Sequence, residues 1–276
     1  MYEVFGRIPA KKGTMKNKTI RDYMISEERL FVIGNGPSFA QSLDKYKDRI
    51  AAGPCMVVNT FPMSDQFEII KPKYYTAVDP GMFREKDKAF SRTHDVIKAF
   101  RDRTDWDVTV FIPDCFYDSY FIREIRKNDK IHVVTFCDRI RTGWFFSKDN
   151  IRMFLQDKNL LIPPSQTVLN LALWLGVFFE TKEIYLMGAD TSYMEEIRVD
   201  QENNDIIVND NHFNDSFSYR ESDNCGRSLL AAQLEDLARA LREYEYIGRY
   251  ARKKGCVIYN ASEYSYIDVF ERRKPD

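Results

Sequence analysis

Apolar positions along the chain recur at two spacings, and the alternation between them sets the expected fold. Short runs rich in Val, Ile, Phe and Tyr read as strands: RLFVIGNG (29–36), CMVVNTF (55–61), YYTAVDP (74–80), DVTVFIPD (107–114), KIHVVTF (130–136), KEIYLMGAD (182–190) and CVIYNAS (256–262). Between them lie stretches with apolar residues at helical spacing. SFAQSLDKYKDRI (38–50) is a helix capped by Ser38, and EKDKAFSRTHDVIKAFRD (85–102) is amphipathic. SQTVLNLALWLGVFF (165–179) is apolar enough to be buried. The long run from Ser228 ends at Gly255, a helix stop. CDRIRTGWFFSKDN (137–150) is irregular and aromatic.

Strands separated by helices predict an α/β fold: a mostly parallel, Rossmann-like sheet with helices on both faces. Such sheets bind ligands beyond the carboxyl ends of their strands. The residues at those ends are Gly34-Asn35-Gly36, Asn59-Thr60, Asp79-Pro80, Asp114, Gly188-Ala189-Asp190 and Asn260. Nearly all are small or polar, so a site is expected on this rim.

The pattern breaks between Glu195 and Asn224, where nine acidic and six asparagine residues face two basic ones. A long polar segment inside a compact domain is either a solvated insertion or a flap over the site. The expected organisation is a polar arm over residues 1–28 and a single domain over 29–276, with a lid at about 192–224.

Forty-one basic residues balance 42 acidic ones, which argues against a nucleic-acid binder. Five scattered cysteines without a CxxC favour a reducing compartment over a disulfide framework or a zinc site. The N-terminus lacks the apolar core of a secretion signal. No run approaches the roughly 18 apolar residues of a membrane span. A cytoplasmic protein is expected, with contact at the inner face of the cell membrane left open.

The turn GNGPS (34–38) lacks the lysine of a P-loop and the third glycine of a dinucleotide fingerprint. It is either a plain strand-to-helix turn or a place where backbone and helix amides meet a phosphate or nucleotide. Asp105-Trp106-Asp107 fits a DxD metal pattern but precedes its strand, at the wrong end of a parallel sheet. No metal site is expected. His94 and His132 sit within regular elements. His212, in NDNHFND, is placed among groups that could orient a general base. Tyr193 and Tyr219 flank the same segment, and a tyrosine hydroxyl can donate to a departing phosphate.

VIGNGPS, VVNTF, KEIYLMGAD and NDNH occur in an order that resembles the bacterial sialyltransferases of glycosyltransferase family 42, within a wider group of polysaccharide-biosynthesis proteins. The resemblance covers roughly Leu30 to Asn224. It implies a GT-A variant of the α/β fold with a flap, and inverting, metal-independent transfer from a CMP-activated keto-acid sugar such as sialic acid. The product would be a lipopolysaccharide or capsule glycan. It further implies that Gly34, Asn35, Gly36, Pro37 and Ser38 contact the nucleotide, with Asn59, Asp79, Ser165, Gln166, Thr167, Gly188 and Asp190. Tyr193 would ease departure of the phosphate and His212 would act as base. The partners implied are the nucleotide sugar and a glycan or glycolipid acceptor, with no cofactor; a homo-oligomer is also expected.

The chain departs from the family in three places. LLIPPS has no arginine before its serine, NDSFSYR has no second histidine, and Asp79 stands where the family has asparagine. Two alternatives stand beside this: the same core also resembles that of a pterin diphosphokinase-like group, which implies magnesium-dependent diphosphate transfer with Asp79 and Asp190 as candidate metal ligands, while the missing arginine and second histidine favour a non-catalytic scaffold of glycan biosynthesis.

Overall fold

The computed structural model describes residues 20, 23, 27–83, 93–139, 148–195, 197–212, 215–221 and 228–275, with side chains left aside at Met194 and over 210–221. Strands β1 (Arg29–Ile33), β2 (Cys55–Val58), β3 (Tyr74–Thr76), β4 (Val108–Pro113), β5 (Ile131–Phe136), β6 (Glu183–Met187), β10 (Val257–Asn260) and β11 (Glu271–Arg272) form one sheet. Their order is β11-β10-β6-β1-β2-β3-β4-β5, and every neighbouring pair is parallel. The fold is thus the expected α/β, Rossmann-like one.

The side-chain period of two along β1 supplies both cores. Leu30 and Val32 face the layer of α6 (Asp149–Asp157), α7 (Val168–Phe178) and α8 (Leu229–Lys254). Phe31 and Ile33 face the layer of α1 (Phe39–Ala52), α2 (Gln66–Ile70), α3 (Pro80–Phe83), α4 (Thr93–Arg103) and α5 (Tyr120–Ile125). Apolar residues around most of its circumference suit α7 to its place between β1, β2 and α8.

Succession runs from β1 outward to β5, then returns through α7 to β6 on the other side of β1. That reversal makes β1 the switch point of the sheet, where a crevice opens at the carboxyl ends.

The segment from 195 onward is not a structureless loop. It carries β7 (Ile197–Val199), β8 (Ile206–His212) and β9 (Asp215–Glu221), an antiparallel three-stranded sheet. Its apolar residues Ile206 and Val208 are buried. The expected helix over 85–102 is described from Thr93 onward, and residues 140–147 of the aromatic section lie outside the described residues. Within that section, α6 begins at Asp149. The arm expected over 1–28 is described at four residues. Ile20 is fully buried, and the Tyr23 hydroxyl lies 2.6 Å from Thr109 Oγ1, so the chain packs on the sheet there.

Candidate functional site

A cleft opens at the switch point, with a cavity volume of about 90 Å³. Its floor is the turn after β1 (Asn35, Gly36, Pro37) with Val58 and Asn59 at the end of β2. One wall is the start of α7 (Thr167, Val168, Leu169) and Tyr244 of α8. The other is the run after β6 (Gly188, Asp190, Thr191, Ser192, Tyr193), closed by Asn209 of β8.

The glycines of GNGPS answer to the protein rather than to a ligand. The Gly34 N–H donates to the Met187 carbonyl at 2.9 Å and the Gly36 N–H to the Gly188 carbonyl at 2.8 Å, extending the β1–β6 ladder through the turn. A Cβ on Gly36 would lie 2.6 Å from the Gly188 carbonyl oxygen and run into the Asp190 carboxylate. Gly188 has φ +59°, and its own Cβ would meet Phe39.

Asp190 closes this junction. Its carboxylate accepts the Ser38 N–H at 2.9 Å and the Ser38 hydroxyl at 2.5 Å. Ser38 is the residue before α1, but its hydroxyl makes no cap of its own. The first turn of α1, expected to meet a phosphate, already holds an anion from within the chain. Burial pushes the Asp190 carboxyl up, and the two bonds from Ser38 pull it part of the way back.

On the floor, the Asn35 amide nitrogen donates to Thr60 Oγ1 at 3.1 Å and to the Val58 carbonyl at 3.4 Å. A carbonyl only accepts, so the nitrogen faces it and Oδ1 is turned elsewhere. That oxygen is buried and without a partner, and Asn59 Oδ1 is in the same state. Asn59 adopts φ 46° with its carbonyl held by the Tyr75 hydroxyl at 2.8 Å. Two buried acceptors at the ends of adjacent strands thus lack a partner within the protein.

The wall of α7 begins with a capping box: Thr167 Oγ1 accepts the Asn170 N–H, and Asn170 Oδ1 accepts the Thr167 N–H. Tyr244 is fully buried, with its hydroxyl 3.5 Å from Thr167 Oγ1. Burial pushes that hydroxyl up, with hydrogen bonds from Thr167 and Thr191 opposing. Thr191 holds φ 53° at the root of the flap, a strained conformation for a β-branched residue.

Of the residues singled out from sequence, Asn35, Gly36, Pro37, Asn59, Thr167, Gly188, Asp190 and Tyr193 line one cleft. Gly34 lies beneath it, and Ser38 is spent on Asp190. Asp79 does not reach it: its Oδ1 accepts the Gly81 N–H at 2.8 Å. Ser165 donates to the Pro163 carbonyl at 3.3 Å, and Gln166 is half-buried outside the lining. His212 ends β8 with its backbone opposite Asp215, and Tyr219 lies on β9; their side chains fall outside the described residues. Thr191, Ser192 and Asn209 follow rim or flap residues already suspected. Tyr244 gave no signal, because it sits on the apolar stripe of α8 like any core aromatic.

Asp105 and Asp107 lie at the opposite edge, paired with Lys71 at 2.8 Å and with His132 at 3.0 Å. Among the described residues no group of three or more His, Cys, Asp or Glu could hold a metal ion. No described helix is long and apolar enough to cross a membrane.

No protein-family model matches the chain, and no curated protein matches it in sequence. Among solved structures it is similar to the MAf glycosyltransferase from Magnetospirillum magneticum, with a TM-score of 0.52 at 14% identity. The match covers 90% of this chain and 34% of that one, so the chain spans about a third of that protein's length. What the two share is the α/β fold.

Proposed function

We propose that the chain is a glycosyltransferase that moves a sugar from a nucleoside monophosphate donor, a CMP-activated keto-acid sugar, onto a glycan or glycolipid acceptor. The pair of unpartnered amide oxygens on Asn35 and Asn59 carries this reading. Buried acceptors call for hydroxyl or amino donors, which ribose and cytosine supply and a bare phosphate does not. The charge of the cleft supports a single phosphate. Among the described residues its lining has no lysine or arginine and one carboxylate, Asp190. A diphosphate-linked donor would find no counter-charge there.

The shared fold with a protein named as a glycosyltransferase supports the same class of reaction. Diphosphate transfer is supported less well, because the carboxylates it would use as magnesium ligands are engaged. Asp79 holds Gly81 and Asp190 holds Ser38. In the proposed reaction, hydroxyl donors along the cleft, Tyr193 among them, stabilise the departing nucleotide without a metal. His212 takes the proton of the acceptor hydroxyl as that oxygen bonds to the anomeric carbon from the face opposite the departing nucleotide monophosphate, whose C–O bond breaks, and the centre inverts.

Release of CMP from CMP-N-acetylneuraminate or a related keto-acid donor, followed with acceptor glycans and excess chelator, tests the reading. Turnover that survives chelator and is lost in His212→Ala with CMP affinity kept is the expected result. Turnover dependent on magnesium and a nucleoside triphosphate would replace this reading with diphosphate transfer. Full activity of His212→Ala would remove that residue from the mechanism.

A further inference from the structure

The loop after β10, residues 261–267, is tied closely to the end of β6. The Ala261 N–H donates to the Leu186 carbonyl at 2.8 Å, and the Tyr266 N–H to the Asp190 carbonyl at 2.9 Å. Ser262 Oγ accepts the Ala189 N–H at 3.1 Å, and the Ser265 hydroxyl donates to the Ala189 carbonyl at 2.6 Å. A loop held in this way presents its side chains in fixed positions. Two of them are aromatic and reach the surface: Tyr264 is 46% exposed and Tyr266 is half-buried. Their rings stand 5.8 Å apart at 87°, so they form a corner.

Glu195 closes the corner from the flap. It is exposed, and its Oε1 accepts both phenol hydroxyls, that of Tyr266 at 2.6 Å. Among the described residues its Oε2 has no hydrogen-bond partner, and no cation pairs with the carboxylate. The corner adjoins the cleft. Tyr193 of the cleft wall lies on the same short helical turn as Glu195, and the Tyr264 carbonyl is 3.5 Å from Ser38 Oγ. Exposed ring faces beside an open carboxylate oxygen match a pyranose, whose C–H face packs on a ring and whose hydroxyls donate. A cation prefers ring faces. Here both rings turn their hydroxyl-bearing rims to Glu195, so a charge resting on that carboxylate would sit off the faces. A sugar ring lies on a face and still reaches the rim with a hydroxyl.

We propose that Tyr264, Tyr266 and Glu195 form the acceptor subsite beside the cleft, holding a neutral sugar ring of the glycan. The sugar lies on the face of Tyr264 and donates a hydroxyl to Glu195 Oε2. Its role as acceptor rests on the glycosyltransferase reading above. The tyrosines stand outside the stretch Leu30 to Asn224, so the family resemblance does not supply them. An anionic sugar is disfavoured, because the carboxylate has no counter-charge beside it among the described residues.

Saturation-transfer NMR titration tests the subsite on the whole chain and on its Tyr264→Ala, Tyr264→Phe and Glu195→Gln forms. The probes are methyl β-galactoside, methyl β-glucoside, methyl α-mannoside and methyl N-acetyl-β-glucosaminide, with tetramethylammonium and CMP titrated separately. At least one sugar should bind the wild type with a Kd on the order of 1 mM, its C–H face receiving the strongest saturation. Tyr264→Ala should weaken that sugar about tenfold through loss of the ring. Tyr264→Phe keeps the ring and should stay within about twofold. Glu195→Gln should cost about fivefold, as for a charged acceptor replaced by a neutral one.

If the tyrosines only latched the flap, Tyr264→Phe and Tyr264→Ala would act alike, since both lose the bond to Glu195; equal losses overturn the subsite. So do sugars that bind every variant as they bind the wild type, and a wild type that binds none of the four. Tetramethylammonium bound through Tyr264 without any sugar marks a cation cage and also overturns it. CMP separates the two readings. CMP bound without sugars leaves the nucleotide site standing while the subsite falls, and sugars bound through Tyr264 without CMP uphold the sugar site while the donor reading fails. Should Tyr264→Ala fail to fold, Tyr264→Leu, which keeps bulk without a ring face, takes its place.

Discussion

The carboxylate of Asp190 holds both the backbone N–H and the hydroxyl of Ser38, at 2.9 and 2.5 Å, across 152 positions of sequence. This pair joins the end of β6 to the start of α1 and fixes the floor of the cleft. Burial raises the Asp190 carboxyl above its ordinary 3.8. A carboxyl raised on folding holds its proton more tightly folded than unfolded. Its contribution is therefore full below 3.8 and is lost as pH rises through the raised native value. In Asp190→Asn that titration is gone. Urea midpoints taken from about pH 3.5 to 7 should show the wild type losing stability relative to the variant through this window, then levelling. A constant difference would contradict the assignment.

Gly36→Ala tests whether the glycines serve the protein. The added methyl would press on the Gly188 carbonyl, 2.6 Å away, and on Asp190. Backbone on one side and a carboxylate held by Ser38 on the other leave little room to adjust, so a loss of about 1–3 kcal/mol in urea unfolding is expected. A turn whose glycines served only a ligand would keep its stability and lose affinity instead.

Much of this frame was legible beforehand, because β1, β6 and α7 are apolar runs whose length and spacing decide their type. The flap sheet was not. Its β8, IIVNDNH, carries apolar residues only in its first half, so period-two alternation never builds up. The role of Gly36 escaped for another reason: its neighbour is Asp190, and nothing local in GNGPS indicates that a carboxylate 154 positions on will fill the space. Tyr244 was hidden because a cleft residue on the buried stripe of a helix has the same spacing as a core residue.

Asn59→Gly should separate stability from binding. Asn59 holds φ 46°, a conformation glycine adopts freely, and its Oδ1 is a buried acceptor with no partner. Removing the side chain should leave thermal stability unchanged or slightly higher, within about 1 kcal/mol. CMP affinity should fall about tenfold by calorimetry, the usual cost of one lost hydrogen bond to a buried group. Equal losses in stability and affinity would mean that the residue is part of the scaffold alone.

The flap is pinned at its root by Glu195, which accepts from the hydroxyls of Tyr264 and Tyr266. Those two bonds hold its carboxyl below the ordinary 4.5. The pin is therefore present above 4.5 and weakens as pH falls through the lowered native value. Glu195→Ala should speed amide exchange over residues 193–199 at neutral pH while the global melting temperature barely moves. Acid should bring the wild type toward the variant. Exchange that ignores both the substitution and the pH would show that the three side chains do not restrain the flap.

The cleft runs from the ends of β1 and β2 at Asn35 and Asn59 to the flap root at Thr191 to Tyr193, so a nucleotide bound there ties these segments together. Binding should then be visible in the stability of the whole chain. The most direct measurement is thermal unfolding with CMP, CDP, UDP, GDP and ATP in parallel. CMP is expected to raise the melting temperature on the order of 5 °C at about a hundredfold excess over its Kd, with the uridine and purine nucleotides leaving it in place. No shift with any of the five, or equal shifts with UDP and GDP, would contradict it.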